Sequence, residues 1–240
     1  GSNDYAHHIY DGAVLQIASG SWSTERQIEL VGGTCTVDII SGVTQQRNGL
    51  IYGGGKLNLS GEGRMIVINA NSYTGGTIIE NGILQVNNAS GSATGTGAVT
   101  VKSGGTLSGL PTAQGDYAGI TGSISGTVEV QSGGELLAQS GGTLTLGGLT
   151  LKAGALSSFY IGALTTASLV NITGENLFTL PGASTVEIFN TGLMEVGTYR
   201  LFDYSGADPV FTNLSLAASH IGMFNLALEY NTTDKLIDLL

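Results

Sequence analysis

The amino-acid sequence predicts an all-β protein built as a parallel β-helix, and three observations carry that prediction. The first is local. Segments of alternating β-branched and polar residues are separated by Gly, Asn and Ser, as in Thr77-Ile78-Ile79-Glu80-Asn81-Gly82-Ile83-Leu84-Gln85-Val86 and in Val99-Thr100-Val101-Lys102-Ser103-Gly104-Gly105-Thr106-Leu107. Such segments read as short strands that end in tight turns. The second is recurrence: the apolar residue just after each turn falls at Leu84, Leu107, Leu136 and Leu156, in steps of 23, 29 and 20. Backwards from Leu84 the marks continue at Leu57, Cys35 and Leu15, in steps of 27, 22 and 20. The third is that no stretch shows a helical 3.6-residue period. A strand-only unit in the low twenties cannot bury its own apolar face and must stack on its neighbours.

Composition agrees. Of 240 residues 39 are glycine, and only 11% are charged, against roughly a quarter in ordinary globular domains. A solenoid grows by adding rungs and needs no second core, so a single domain over residues 1–240 is expected. About ten rungs at roughly 4.8 Å each make a rod on the order of 50 Å long. The net charge of −10, from eight basic and eighteen acidic residues, repels phosphate backbones and argues against nucleic acid as a partner. With no run of eighteen apolar residues and no basic amphipathic stretch, direct membrane insertion of this segment is not expected. The single cysteine, Cys35, excludes an internal disulfide and sits on a rung mark, which reads as a small buried hydrophobe.

Taken in order, the chain opens irregularly. Gly1-Ser2 reads as an appended dipeptide on an excised fragment, and Asn3 to Tyr10 as a frayed edge rung. His7 and His8 are adjacent, so in a strand they face opposite ways and cannot chelate one ion together. The third histidine is His220, and neither a metal nor another cofactor is expected. Asp11 to Ile17 resembles Asn81 to Val86, with marks 69 residues apart, or three rungs of 23. Glu25 and Glu29 flank Arg26 as an exposed charge group of little energetic weight. Gln45-Gln46-Arg47-Asn48 reads as a polar loop.

Regular rungs are expected over 1–157, with an insertion near 108–127 that contains Asp116 and Tyr117. Insertions in solenoids project from one face, which makes these two the candidate binding residues. Ten of the sixteen aromatics, including every phenylalanine, lie after residue 157. Aromatics bury roughly 150–250 Å² each, so 158–240 should be the most stable part, with Phe202 and Phe211 among its structural residues. The closing segment, Lys235 to Leu240, reads as an apolar strand that needs something to cover it.

Enzymatic signatures do not emerge. There is no Gly-x-Ser-x-Gly elbow, no His-Glu-x-x-His, no P-loop and no Gly-Asp-Ser nucleophile. Glycan-cleaving β-helices need clustered carboxylates, whereas pairs such as Asp203/Asp208 and Asp234/Asp238 lack a basic partner run. The five Asn-x-Ser/Thr triplets, at Asn58, Asn88, Asn171, Asn213 and Asn231, are expected by chance in a chain this rich in those residues.

Ser72-Tyr73-Thr74-Gly75-Gly76-Thr77, Asn81-Gly82-Ile83-Leu84-Gln85-Val86, Gly95-Thr96-Gly97-Ala98-Val99-Thr100-Val101 and Ser103-Gly104-Gly105-Thr106-Leu107 together resemble the passenger-associated transport repeat of bacterial autotransporters. Asn48 to Gly61 is similar to the run preceding that repeat, and Gly197 to Gly206 with Leu226 to Leu240 is similar to the passenger end before the membrane barrel. The resemblance implies type V secretion of a right-handed β-helical passenger, held at the cell surface by its own outer-membrane β-barrel or released. Together with the missing enzymatic signatures, the reading is a non-enzymatic scaffold for adhesion to a host receptor or glycan, or for self-association. Two alternatives stand beside it: a released effector or toxin that binds a host receptor, and a glycan-active β-helix enzyme. Few charges, no disulfide and slow non-local pairing suit a chain threaded unfolded through a pore, and an aromatic-rich end that emerges first would serve as folding nucleus.

Overall fold

Strands of two to ten residues, separated by turns, stack in parallel coil upon coil. The computed structural model describes residues 6–109, 121–164, 167 and 169–240, and among these the single helical element is a 3₁₀ turn at Phe211–Asn213. Successive coils add to two long sheets, one of twelve strands and one of nine, and a three-stranded sheet closes the first coils through His7–Tyr10, Ile28–Val31 and Ile51–Gly53. The parallel β-helix predicted from the sequence is therefore the architecture.

The core is the lumen of the coil, built as columns in which each coil adds one residue. In the twelve-stranded sheet one inward column runs Cys35, Leu57, Thr77, Val99, Val128, Leu149 and Phe178, and another runs Val37, Leu59, Ile79, Val101, Val130 and Leu151. All are buried. In the nine-stranded sheet the corresponding column is Gln45, Met65, Leu84, Leu107, Leu136, Ser157, Val186 and Leu216. The marks chosen from sequence thus belong to two sheets. Leu57 and Cys35 face each other in one, Leu84, Leu107 and Leu136 in the other, and Leu15 pairs Val37 rather than Cys35. Leu156 is offset by one residue: it pairs Glu135, on the outward side, and Ser157 takes the inward place opposite Leu136. Because strand side chains alternate with period two, this slip of one moves a residue to the other face.

Other sequence readings are corrected in the same way. Val14–Ile17 and Gly82–Val86 lie in different sheets, so the likeness of Asp11–Ile17 to Asn81–Val86 is one of turn chemistry, not of triple-rung register. The polar run at 45–48 is largely a strand, Thr44–Arg47, whose Gln45 and Arg47 point inward. Coil length read from register is 23 from Leu84 to Leu107, 29 to Leu136, 21 to Ser157, then 29 to Val186 and 30 to Leu216. The last coils are long as well as aromatic.

Turns hold the coils close. Gly95, at φ +66°, lies against the coil above it, and a Cβ there would meet the Tyr73 carbonyl oxygen at 1.9 Å. Only glycine satisfies both the backbone angle and that approach. Polar turn side chains complete the backbone hydrogen bonding between coils: Asn71 accepts from the Ile51 N–H at 2.8 Å and donates to the Ala93 carbonyl at 2.6 Å.

The C-terminal end departs from parallel stacking. Leu236–Leu239 runs antiparallel to Tyr199–Ser205, and Leu228–Asn231 pairs antiparallel on its far side. The apolar segment expected to need a cover is paired along both edges, by Tyr199–Ser205 of the last coil on one and by Leu228–Asn231 on the other. Inside these coils a relay of aromatic rings fills the lumen: Phe159 to Phe202 at 5.2 Å edge-on, Phe202 to Phe178 at 5.2 Å, Phe178 to Tyr204 at 5.6 Å, Tyr204 to Phe211 at 6.4 Å and Phe211 to Tyr230 at 4.5 Å.

Candidate functional site

The outward columns of the twelve-stranded sheet place one polar side chain per coil beside the next. Gln16 donates to Asp38 at 2.8 Å and Ser60 donates to the same carboxylate at 2.9 Å. Asn58 and Lys102 donate to Glu80 at 3.1 and 3.0 Å, and Gln131 and Lys152 reach Glu129 at 3.1 and 3.2 Å. The Lys102 and Asn58 donors hold Glu80 below the usual carboxylate range, and the Gln131 and Lys152 donors do the same for Glu129. Both stay ionised at neutral pH and are engaged across coils, which suits a fixed polar docking face better than proton transfer.

A second concentration of charge lies on the closing hairpin. Asp238 sits beside Asp203 and Glu229, with the Arg200 Nε at 3.8 Å; burial pushes its carboxyl up, Arg200 pulls it down, and the two acids raise it further. Lys235 and the Tyr204 hydroxyl donate to Asp208 at 2.9 and 2.8 Å. Two of the four acids that seem unpartnered in sequence therefore have basic partners in space, Asp208 with Lys235 and Asp238 with Arg200. Among the described residues no group of three or more His, Cys, Asp or Glu side chains is arranged to hold a metal ion. His7 points toward the lumen, where burial lowers its pKa, whereas His8 is 2.6 Å from Glu29 on the outside.

Concavities gather on the C-terminal coils. One of about 270 Å³ lies between Gln139, Ser140, Gly162, Leu164, Thr191 and Leu193; a neighbour of about 280 Å³ lies between Met194, Val196, Met223, Phe224 and Leu240. Leu193, Val196 and Met223 are largely exposed on their rims. Outside the coil, Tyr160 and Phe189 stack at 4.8 Å on adjacent coils, continuing the column of Gln139. This corner offers apolar contact with few charges, chiefly Glu195.

The sequence-predicted positions fall as follows. Cys35, Leu57, Leu84, Leu107, Leu136 and Phe202 are buried in the lumen, while Leu15 and Phe211 are partly buried against it. The Cys35 thiol donates to the Ile9 carbonyl at 2.9 Å, and burial raises its pKa, as befits an inert side chain. Asp116 and Tyr117 lie outside the described residues. Sequence reasoning missed the outward ladders and the apolar corner, because each assembles from residues about twenty to thirty positions apart that share no local motif.

No family model matches the chain, and no solved structure matches it. Over 168 residues, 68% of the chain, it is 34% identical to an autotransporter described as adhesin BmaC, from Brucella suis biovar 1. The chain is related to bacterial autotransporters. Stacked parallel coils of the kind found here fit an autotransporter passenger, and that kinship implies outer-membrane-anchored surface display or secretion. The chain spans about 4% of the relative's length. Among the described residues no helix is long and apolar enough to cross a membrane.

Proposed function

We propose that this chain is part of an autotransporter passenger that acts as a non-enzymatic, surface-displayed scaffold for adhesion or self-association. What carries the reading is the match of two-thirds of the chain to an adhesin, on a solenoid whose outward columns are polar and fixed. The partner is a host receptor or glycan, or a second copy of the chain, and the passenger's own outer-membrane β-barrel anchors it in the full-length protein. Residues 158–240, with the aromatic relay and the antiparallel hairpin, act as the folding nucleus that draws the remaining coils outward during translocation.

The test is display of the full-length protein on a non-adherent bacterial host, beside cells that display the barrel alone. Adhesion to host cells or glycan-coated surfaces, or cell aggregation, above the barrel-only level is the expected result. Equal binding and aggregation in both, at matched surface display, would overturn the reading. Passenger recovered as a soluble, receptor-binding monomer in the medium would move it to the effector class.

A further inference from the structure

The lumen of the first coils contains a polar defect that the scaffold reading does not use. Gln45 and Arg47 occupy successive inward positions of Thr44–Arg47, in columns that begin at Trp22 and Thr24 and continue as Met65 and Leu84 and as Val67 and Val86. Gln45 is 0% exposed and Arg47 2%. Among the described residues the Gln45 amide and the Arg47 Nε and Nη2 have no hydrogen-bond partner. Guanidinium N–H groups stripped of water and given no acceptor are costly for a core to hold, and an acceptor opposite them would relieve that cost. Burial is the one cause that acts on the Arg47 pKa, pushing it down to about 10, and no carboxylate offsets it.

His7 lies at the same end of the lumen: burial first, and then the charges of Arg26 and Arg47, lower its pKa, and Arg26 itself is exposed. The nearby acids are engaged elsewhere: Glu25 with Asn48 at 2.8 Å, Glu29 with His8 at 2.6 Å, and Asp11 with the Thr34 N–H at 2.7 Å.

We propose that Arg47 and Gln45 form a binding site for one small monovalent anion of the halide class inside the N-terminal lumen. The donors are the Nε–H and Nη2–H of Arg47 and the amide N–H of Gln45. One net positive charge balances one negative charge, so a multivalent oxyanion would leave charge uncompensated in an apolar wall of Met65 and Val67. A spherical, weakly hydrated anion also needs no acceptor from the protein in return.

The experiment is thermal unfolding of the 240-residue chain in sodium bromide against sodium gluconate at matched ionic strength, with a crystal grown in bromide for anomalous scattering. Ligand binding to the folded state alone makes stability rise with the logarithm of bromide concentration above the dissociation constant. The expected result is that rise, lost in Arg47→Met and shifted to at least tenfold higher bromide in Arg47→Lys, with an anomalous peak within hydrogen-bond distance of Arg47. Equal stability of the unmodified chain in both salts would overturn the proposal. So would a bromide response that survives in Arg47→Met, or anomalous peaks confined to the surface. If Arg47→Met does not fold, the Arg47→Lys titration and the crystal of the unmodified chain decide.

Discussion

Replacing Phe202 tests the aromatic relay and, through it, the folding-nucleus role proposed for 158–240. Phe202 is fully buried, with Phe159 edge-on and Phe178 tilted against it, both at 5.2 Å. Truncating a buried phenylalanine to alanine costs about 3–5 kcal/mol through lost burial and the cavity left behind. Aromatic pairs contribute about 0.5–1.5 kcal/mol each beyond area, so the two pairs account for about 1–3 kcal/mol of that. Phe202→Leu keeps most of the apolar volume and should lose chiefly the pair contribution. A double-mutant cycle with Phe159→Leu should return a coupling of about 0.5–1.5 kcal/mol. The assay is equilibrium urea unfolding followed by circular dichroism, with hydrogen exchange on the same variants to locate the loss. In a solenoid each coil contacts only its neighbours, so reduced protection should centre on the coils that carry Phe159, Phe178 and Phe202 and spread outward. A Phe202→Ala cost below about 1 kcal/mol, or an equal cost for Leu and Ala, would refute the packing argument. If protection in the unmodified chain proves strongest before residue 157, the nucleus belongs elsewhere.

Three further outcomes are expected. Gly95→Ala should cost at least about 2 kcal/mol, since the backbone sits at φ +66° and the new Cβ would press on the Tyr73 carbonyl, whereas Gly12→Ala, at φ +73° with no atom within 4 Å, should cost only about 1 kcal/mol of backbone strain; thermal unfolding distinguishes the two. The Cys35 thiol should resist a thiol-modifying reagent in the native chain and react fully in urea, and rapid native labelling would show that the lumen opens at this coil. Burial holds the Asp238 pKa above its unfolded value, so this group's contribution is present at low pH and is lost as pH rises through the raised value. Relative to the unmodified chain, Asp238→Asn should therefore gain stability progressively as pH rises from below 4 toward neutrality, measured by urea unfolding, and a difference that stays flat with pH would contradict the assignment.

Much of the fold was legible because stacking imposes recurrence. Turn glycines, alternating strands and a period near 23 residues announce a solenoid, since each coil must repeat its neighbour's shape to share a core. Buried Cys35 followed from the same logic. Register was not legible: Leu57 and Leu84 follow similar turns yet belong to different sheets, and Leu156 differs from Leu136 by a one-residue slip that periodicity alone does not reveal. The candidate surfaces were less legible still, since Glu80 meets Lys102, and Tyr160 meets Phe189, only when one coil is laid on the next.

What the sequence by itself determined is the class of object: a glycine-punctuated stack of short strands, poor in charge and related to autotransporters, with its aromatic mass toward the C-terminus. Tertiary structure alone decided that the final strands turn antiparallel, that dispersed acids acquire Lys235 and Arg200 as partners, and that a run read as a polar loop puts Arg47 into the lumen. The reason is physical. Local residue preference sets where the chain extends and turns, but which face a strand buries, and what stands opposite a charge, depends on pairing across twenty to thirty residues.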